Sequence, residues 1–141
     1  ALVERFDVRG TEAAGVHTPA RRLSGGNMQK LILGRALMAA AGTAGATTPP
    51  LIVANQPTWG LDVGAVAYVH RQLLAAAAAG SGIVLVSEDL EEVFALADRI
   101  AVMHAGRLGE ARPAPAWTPA TIGLAMAGGG PRPVTASAVA A

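Results

Sequence analysis

Two short, unbroken apolar runs, Leu51-Ile52-Val53-Ala54 and Ile83-Val84-Leu85-Val86, constrain the fold of this chain more than any other feature. Each is the length of a strand and lacks the apolar/polar alternation of a half-solvated one, so each reads as a buried parallel strand. Between them, Pro57 to Gly60 turns the chain, Val63 to Ala79 reads as a helix, and Gly80-Ser81-Gly82 stops it. Strand, helix, strand in that order predicts an α/β layer structure with right-handed crossovers. Ligands gather at the carboxyl ends of strands in such sheets. Asn55 and Gln56 occupy that position after the first run, and Glu88 after the second.

The run Leu23-Ser24-Gly25-Gly26-Asn27-Met28-Gln29-Lys30 places a hydroxyl and two glycines at the start of a further helix, predicted from Gly26 to about Ala41 and mostly buried. A helix N-terminus leaves backbone N–H groups unpaired and carries a partial positive charge, which suits it to a phosphate. Ser24 can cap the helix or donate its hydroxyl to an anion. A Ser-Gly-Gly turn also caps ordinary helices, so the downstream motifs decide the matter.

Further along, Gly42 to Pro50 reads as a loop and Asp89 to Leu96 as a short amphipathic helix. Arg99 to His104 and Arg107 to Glu110 read as two strands joined by Ala105-Gly106. Trp117 to Met126 is predicted to be a last helix, and Gly128 onward a flexible tail. The domain organisation expected is a lead-in segment over 1–22, one α/β domain over 23–127, and the tail over 128–141.

At 141 residues, 52% hydrophobic and a net charge of +1, the chain can bury one core and resembles neither a disordered tail nor a polyanion binder. Lys30 is its one lysine and the arginines are scattered, which argues against nucleic acid as a partner. Without cysteine there is no disulfide framework, thiol nucleophile or thiolate zinc site. His17, His70 and His104 share no metal-ligand spacing. No apolar stretch reaches the roughly 20 residues of a membrane span, and no signal-peptide pattern is present, so a cytoplasmic location is expected. The chain opens on Ala1 and runs directly into Leu2-Val3-Glu4-Arg5-Phe6, which reads as the interior of something longer.

Taken together, Leu23-Ser24-Gly25-Gly26, then Leu51 to Thr58 with Gly60-Leu61-Asp62, then Val84 to Asp89 and Asp98-Arg99-Ile100 resemble the C-terminal half of an ATP-binding cassette (ABC) domain. The similarity runs from about Val3 to Gly128 and is most like the second cassette of tandem ATPases serving simple-sugar and nucleoside importers. The fold it implies is the C-terminal part of a P-loop NTPase, an α/β domain with a mostly parallel sheet flanked by helices. Two cassettes of this family close over ATP, so Ser24, Gly25 and Gly26, with Asn27 and Gln29 of the same signature, would bind nucleotide held by a partner. Asp62 matches the D-loop aspartate that crosses the dimer interface; alone, it also reads as a helix cap. The implied cofactors are ATP and magnesium, held mainly by missing or partner parts. The implied partners are another ABC ATPase domain, membrane permease subunits and, indirectly, a substrate-binding protein, at the cytoplasmic face of the membrane.

Three positions depart from the family pattern, and there is no Gly-x-x-x-x-Gly-Lys-Ser/Thr phosphate loop. Asn55 and Gln56 stand where the family usually has Asp and Glu, the magnesium-holding and water-polarising residues. Glu88 stands where a switch histidine is expected. Amides keep the shape but lose the charge that a hard dication and a general base require. A carboxylate at the switch position repels a terminal phosphate. The expectation is an asymmetric device whose own site turns over little or no ATP, while its signature helix completes the site opposite. The alternative is a truncated cassette acting as a nucleotide-independent interaction or regulatory module.

Overall fold

The computed structural model describes residues 2–11, 15–39 and 50–129; the expected loop over 42–49 and the tail beyond 129 lie outside them. The chain divides into two compact units, Ala1–Ser87 and Glu88–Ala141.

The first unit is built on the two apolar runs. Strand β1, Leu51–Asn55, and strand β2, Gly82–Val86, pair in parallel with Leu51 opposite Gly82 and Asn55 opposite Val86. Helix α3, Val63–Ala78, makes the crossover and lies against β2. Its buried Ala65, Val69, Leu73 and Ala76 recur at helical spacing and form one apolar stripe. It ends where Gly80 takes φ +98°, with Gly80 N–H donating to Ala77 C=O and Ser81 N–H to Ala76 C=O. That is the Schellman arrangement, and it needs a residue tolerant of the left-handed region. The two strands are less enclosed than their composition suggests: Val53 is 66% exposed, and Leu51, Val84 and Val86 are exposed with it.

Ahead of the sheet, helix α1, Leu2–Arg5, and two 3₁₀ turns, Gly15–His17 and Ala20–Arg22, lead into helix α2, Gly25–Ala39. The lead-in is more than a polar approach, because it buries Phe6 and Val8. Phe6 lies against Gly34 in the middle of α2, where an added Cβ would stand 2.7 Å from the ring. Helix α2 is half-buried rather than mostly buried, with Ile32 exposed, since it is covered on the faces that meet α1 and α3.

The second unit holds helix α4, Leu90–Leu96, four two-residue strands and helix α5, Pro119–Met126. Asp89 caps α4 by accepting from the Glu91 and Glu92 N–H groups. The strand expected from Arg99 to His104 is broken in two. Strand β3, Arg99–Ile100, pairs with β6, Arg112–Pro113, whereas β4, Met103–His104, pairs with β5, Arg107–Leu108, both antiparallel. The break follows from the change of partner at Ala101 and Val102. Ala105 and Gly106 make the expected turn, both at positive φ, which is the type I′ geometry that follows strand twist. Helix α5 begins later than the sequence suggests because Thr118 and Thr121 form a reciprocal capping box with Pro119 at its first position. Trp117 therefore stays extended and joins Ile100, Ile122 and Ala125 in the core, its indole N–H donating to Ile100 C=O at 3.2 Å.

Gly34 carries a clear prediction. Alanine there gains about 1 kcal/mol of helix propensity, but forcing a methyl onto the Phe6 ring costs about 1–3 kcal/mol. Gly34→Ala lowers the urea midpoint of the chain, and in a Phe6→Ala background the same substitution raises it.

Candidate functional site

The start of α2 is seated against the loop between β1 and α3. The Gln29 side-chain amide donates to Pro57 C=O at 3.1 Å, and an added Cβ on Gly26 would stand 3.0 Å from Ala65 Cβ and 3.8 Å from Asp62 Oδ2. Gly26 is thus fixed by the close approach of the two helix starts. Gly25 has no such reason, because a Cβ there would meet nothing nearer than 3.9 Å. Asp62 caps α3, accepting from Ala65 N–H at 2.9 Å.

In the first turn of α2, Ser24 C=O accepts from Met28 N–H and Ser24 Oγ from Asn27 N–H, the latter at 3.4 Å. The Gly25 and Gly26 N–H groups have no acceptor among the described residues. Two free donors at the positive end of a fifteen-residue helix, at glycines of which Gly25 has no neighbour closer than 3.9 Å to an added Cβ, fit a phosphate oxygen. Asn27 is engaged on both ends of its amide: Oδ1 accepts from Arg9 N–H at 2.8 Å and Nδ2 donates to Ser24 Oγ at 2.9 Å. Lys30 reinforces the same corner from one turn further along, donating to Asp7 C=O at 2.9 Å and pairing with its carboxylate at 3.3 Å. Arg9 and then Lys30, each by hydrogen bonding, hold the Asp7 carboxyl below its usual range. The sign follows: the contribution of this exposed contact is present above the unfolded value of 3.8 and is lost as the pH falls through the lowered one. Lys30 also lies 4.9 Å from the centre of the Tyr68 ring, whose phenol is pushed up by burial. Residues 7 to 9 are too far from the helix in sequence for any spacing rule to have connected them; the lone lysine was the nearest signal.

At the carboxyl end of β1, Asn55 is exposed and ends the ladder opposite Val86. Gln56 is half-buried at φ +48°, a left-handed conformation that costs about 1–2 kcal/mol for a residue with a Cβ. Its N–H donates to Val86 C=O at 2.8 Å and its C=O accepts from Trp59 N–H at 3.2 Å, which pins the bend on both sides. A magnesium ion favours charged carboxylate oxygens, and Asn55 and Gln56 offer only neutral amide oxygens, which makes them poorer ligands for it. Glu88, exposed at the start of the second unit, precedes the Asp89 cap. The structure thus brings Ser24, Gly25, Gly26, Asn27, Gln29 and Asp62 to one corner of the first unit. Trp59 stands in the same loop, 82% exposed, so it is no part of the core.

The two glycines separate experimentally. Gly25→Ala leaves the thermal midpoint of the chain unchanged, whereas Gly26→Val, forced against Ala65, lowers stability by about 1–3 kcal/mol in a denaturant titration.

No family model matches the chain. It is 46% identical, over 98% of its length, to a glucose import ATP-binding protein of Haloferax volcanii, of which it covers 24%. It is 39% identical, over 91% of its length, to a nucleoside import ATP-binding protein of Lactococcus lactis, covering 23% of that protein. A solved ATP-binding cassette of an ABC transporter superposes with a TM-score of 0.60 at 25% identity, over 81% of this chain and 41% of that one. The chain spans about a quarter of the length of the curated relatives it matches. In fold it is an ABC-ATPase-like α/β structure, and its sequence is similar to one segment of these import ATP-binding proteins.

Proposed function

We propose that this chain lends the start of α2 to an ATP molecule held by a partner cassette, within an importer of simple sugars or nucleosides. The observation that carries the reading is the pair of unclaimed N–H donors at Gly25 and Gly26, in a chain nearly half identical to a glucose import ATP-binding protein. Gly25, Gly26 and the Ser24 hydroxyl contact the terminal phosphate across the interface. Asp62 lies beside them, and exposed Trp59 and Val63 give that corner an apolar rim for the partner to cover.

The chain's own strand end does not activate water. Gln56 has no basic oxygen to take a proton near neutral pH, Asn55 carries no charge, and Glu88 presents an anion where a phosphate sensor would donate. Transition-state contacts therefore come from this chain and chemistry from the site opposite. Closure of the two cassettes on ATP moves a permease at the cytoplasmic face of the membrane, coupling nucleotide binding to uptake. Among the described residues no helix is long and apolar enough to cross a membrane.

Two substitutions of opposite sense test this in the full-length importer ATPase assembled with its permease. Ser24→Trp combined with Gly25→Val abolishes ATP-driven uptake; normal uptake would refute the reading. Restoring Asn55→Asp, Gln56→Glu and Glu88→His together adds turnover at a second site, because a recovered general base alone is worth about 10²- to 10⁴-fold at that site. An unchanged rate would show that these three positions are not what silences it.

A further inference from the structure

We infer that Asn27 is a positioning residue for Ser24: clamped at its far end by the Arg9 backbone, it turns the serine hydroxyl into an outward-facing donor that selects a terminal phosphate oxygen. The inference rests on the reading that Ser24 faces the partner's ATP.

The argument begins at the Arg9 N–H, which can only donate. The atom of Asn27 that lies 2.8 Å from it must therefore be the amide oxygen, and the flipped amide would set two donors against each other. With Oδ1 so placed, the atom 2.9 Å from Ser24 Oγ is Nδ2, which also can only donate. The Asn27 backbone N–H points at the same oxygen from 3.4 Å. A hydroxyl has two lone pairs and one proton, so both acceptor positions of Ser24 are taken and its own proton remains. Ser24 is exposed, and that proton has no acceptor among the described residues.

Ser24 can thus give a hydrogen bond to a ligand but cannot take one. It favours a group that only accepts, as a deprotonated phosphate oxygen does, and gains nothing from a sugar hydroxyl acting as donor. Held at Oδ1 by Arg9 and at Nδ2 by Ser24, the Asn27 amide acts through the serine. The clamp is itself anchored, since Lys30 holds Asp7 by its carbonyl and carboxylate, two residues before Arg9.

Asn27→Asp probes this directly. One carboxylate oxygen still accepts from Arg9 N–H, but the other now accepts the Ser24 proton and draws it inward. In the full-length ATPase assembled with its permease, Asn27→Asp lowers kcat/KM for ATP about 10- to 100-fold, the worth of a hydrogen bond to a charged group. Ser24→Ala lowers it comparably, and the double variant is no worse than Ser24→Ala alone. Inhibition by ADP, which lacks the terminal phosphate, keeps its wild-type constant in all three variants, a pattern that general damage to the helix start would not produce. Wild-type kcat/KM in Asn27→Asp, losses that multiply in the double variant, or weakened ADP inhibition would each overturn the role of Asn27. A silent Ser24→Ala would instead overturn the functional reading beneath it.

Discussion

The parallel pairing of β1 with β2 is the constraint on which the first unit depends. Its register sets Asn55 opposite Val86, and one further bond, Gln56 N–H to Val86 C=O, carries the strand order past the end of β1 and forces the left-handed bend at Gln56. A parallel pair cannot be closed by a tight turn, so α3 has to return along the sheet, and its start has to lie near the strand ends. Asp62 caps that start, and Gly26 lets α2 approach it. The candidate phosphate site is therefore a by-product of how two helix starts fit one short loop.

The same ladder is incompletely covered. Parallel sheets in stable domains are enclosed on both faces, yet Leu51, Val53, Val84 and Val86 present exposed apolar side chains. Each fully buried side chain of this kind is worth about 1.5–3 kcal/mol, so this face is where the first unit stands to gain most from a covering layer.

Much of the fold was legible because it depends on local rules. Apolar run length marked β1 and β2, glycine marked the end of α3 at Gly80, and Ala105-Gly106 marked the hairpin between β4 and β5. What escaped depends on contacts distant in the chain. The burial of Phe6 needs the notch at Gly34, 28 positions on, and no periodicity in the lead-in announces it. The division of the expected Arg99 to His104 strand reflects the choice of β6 and β5 as separate partners, and Arg112–Pro113 carries no strand signal of its own. Trp117 left the predicted last helix because a capping box at Thr118 and a core position competed for the same segment and both were satisfied by starting two residues later.

The sequence by itself determined the chemistry available at the site. It supplied a hydroxyl and two glycines at a helix start, amides at the end of β1 and a carboxylate after β2, because residue type and spacing along one strand or helix are local properties. Only the tertiary structure decided how those groups are used: it fixed Gly26 by packing and left Gly25 open, it gave Gln29 to Pro57, and it tied Asn27 between Ser24 and Arg9. Hydrogen-bond roles are settled by which donor meets which acceptor across the fold. A sequence names the donors and acceptors but does not pair them.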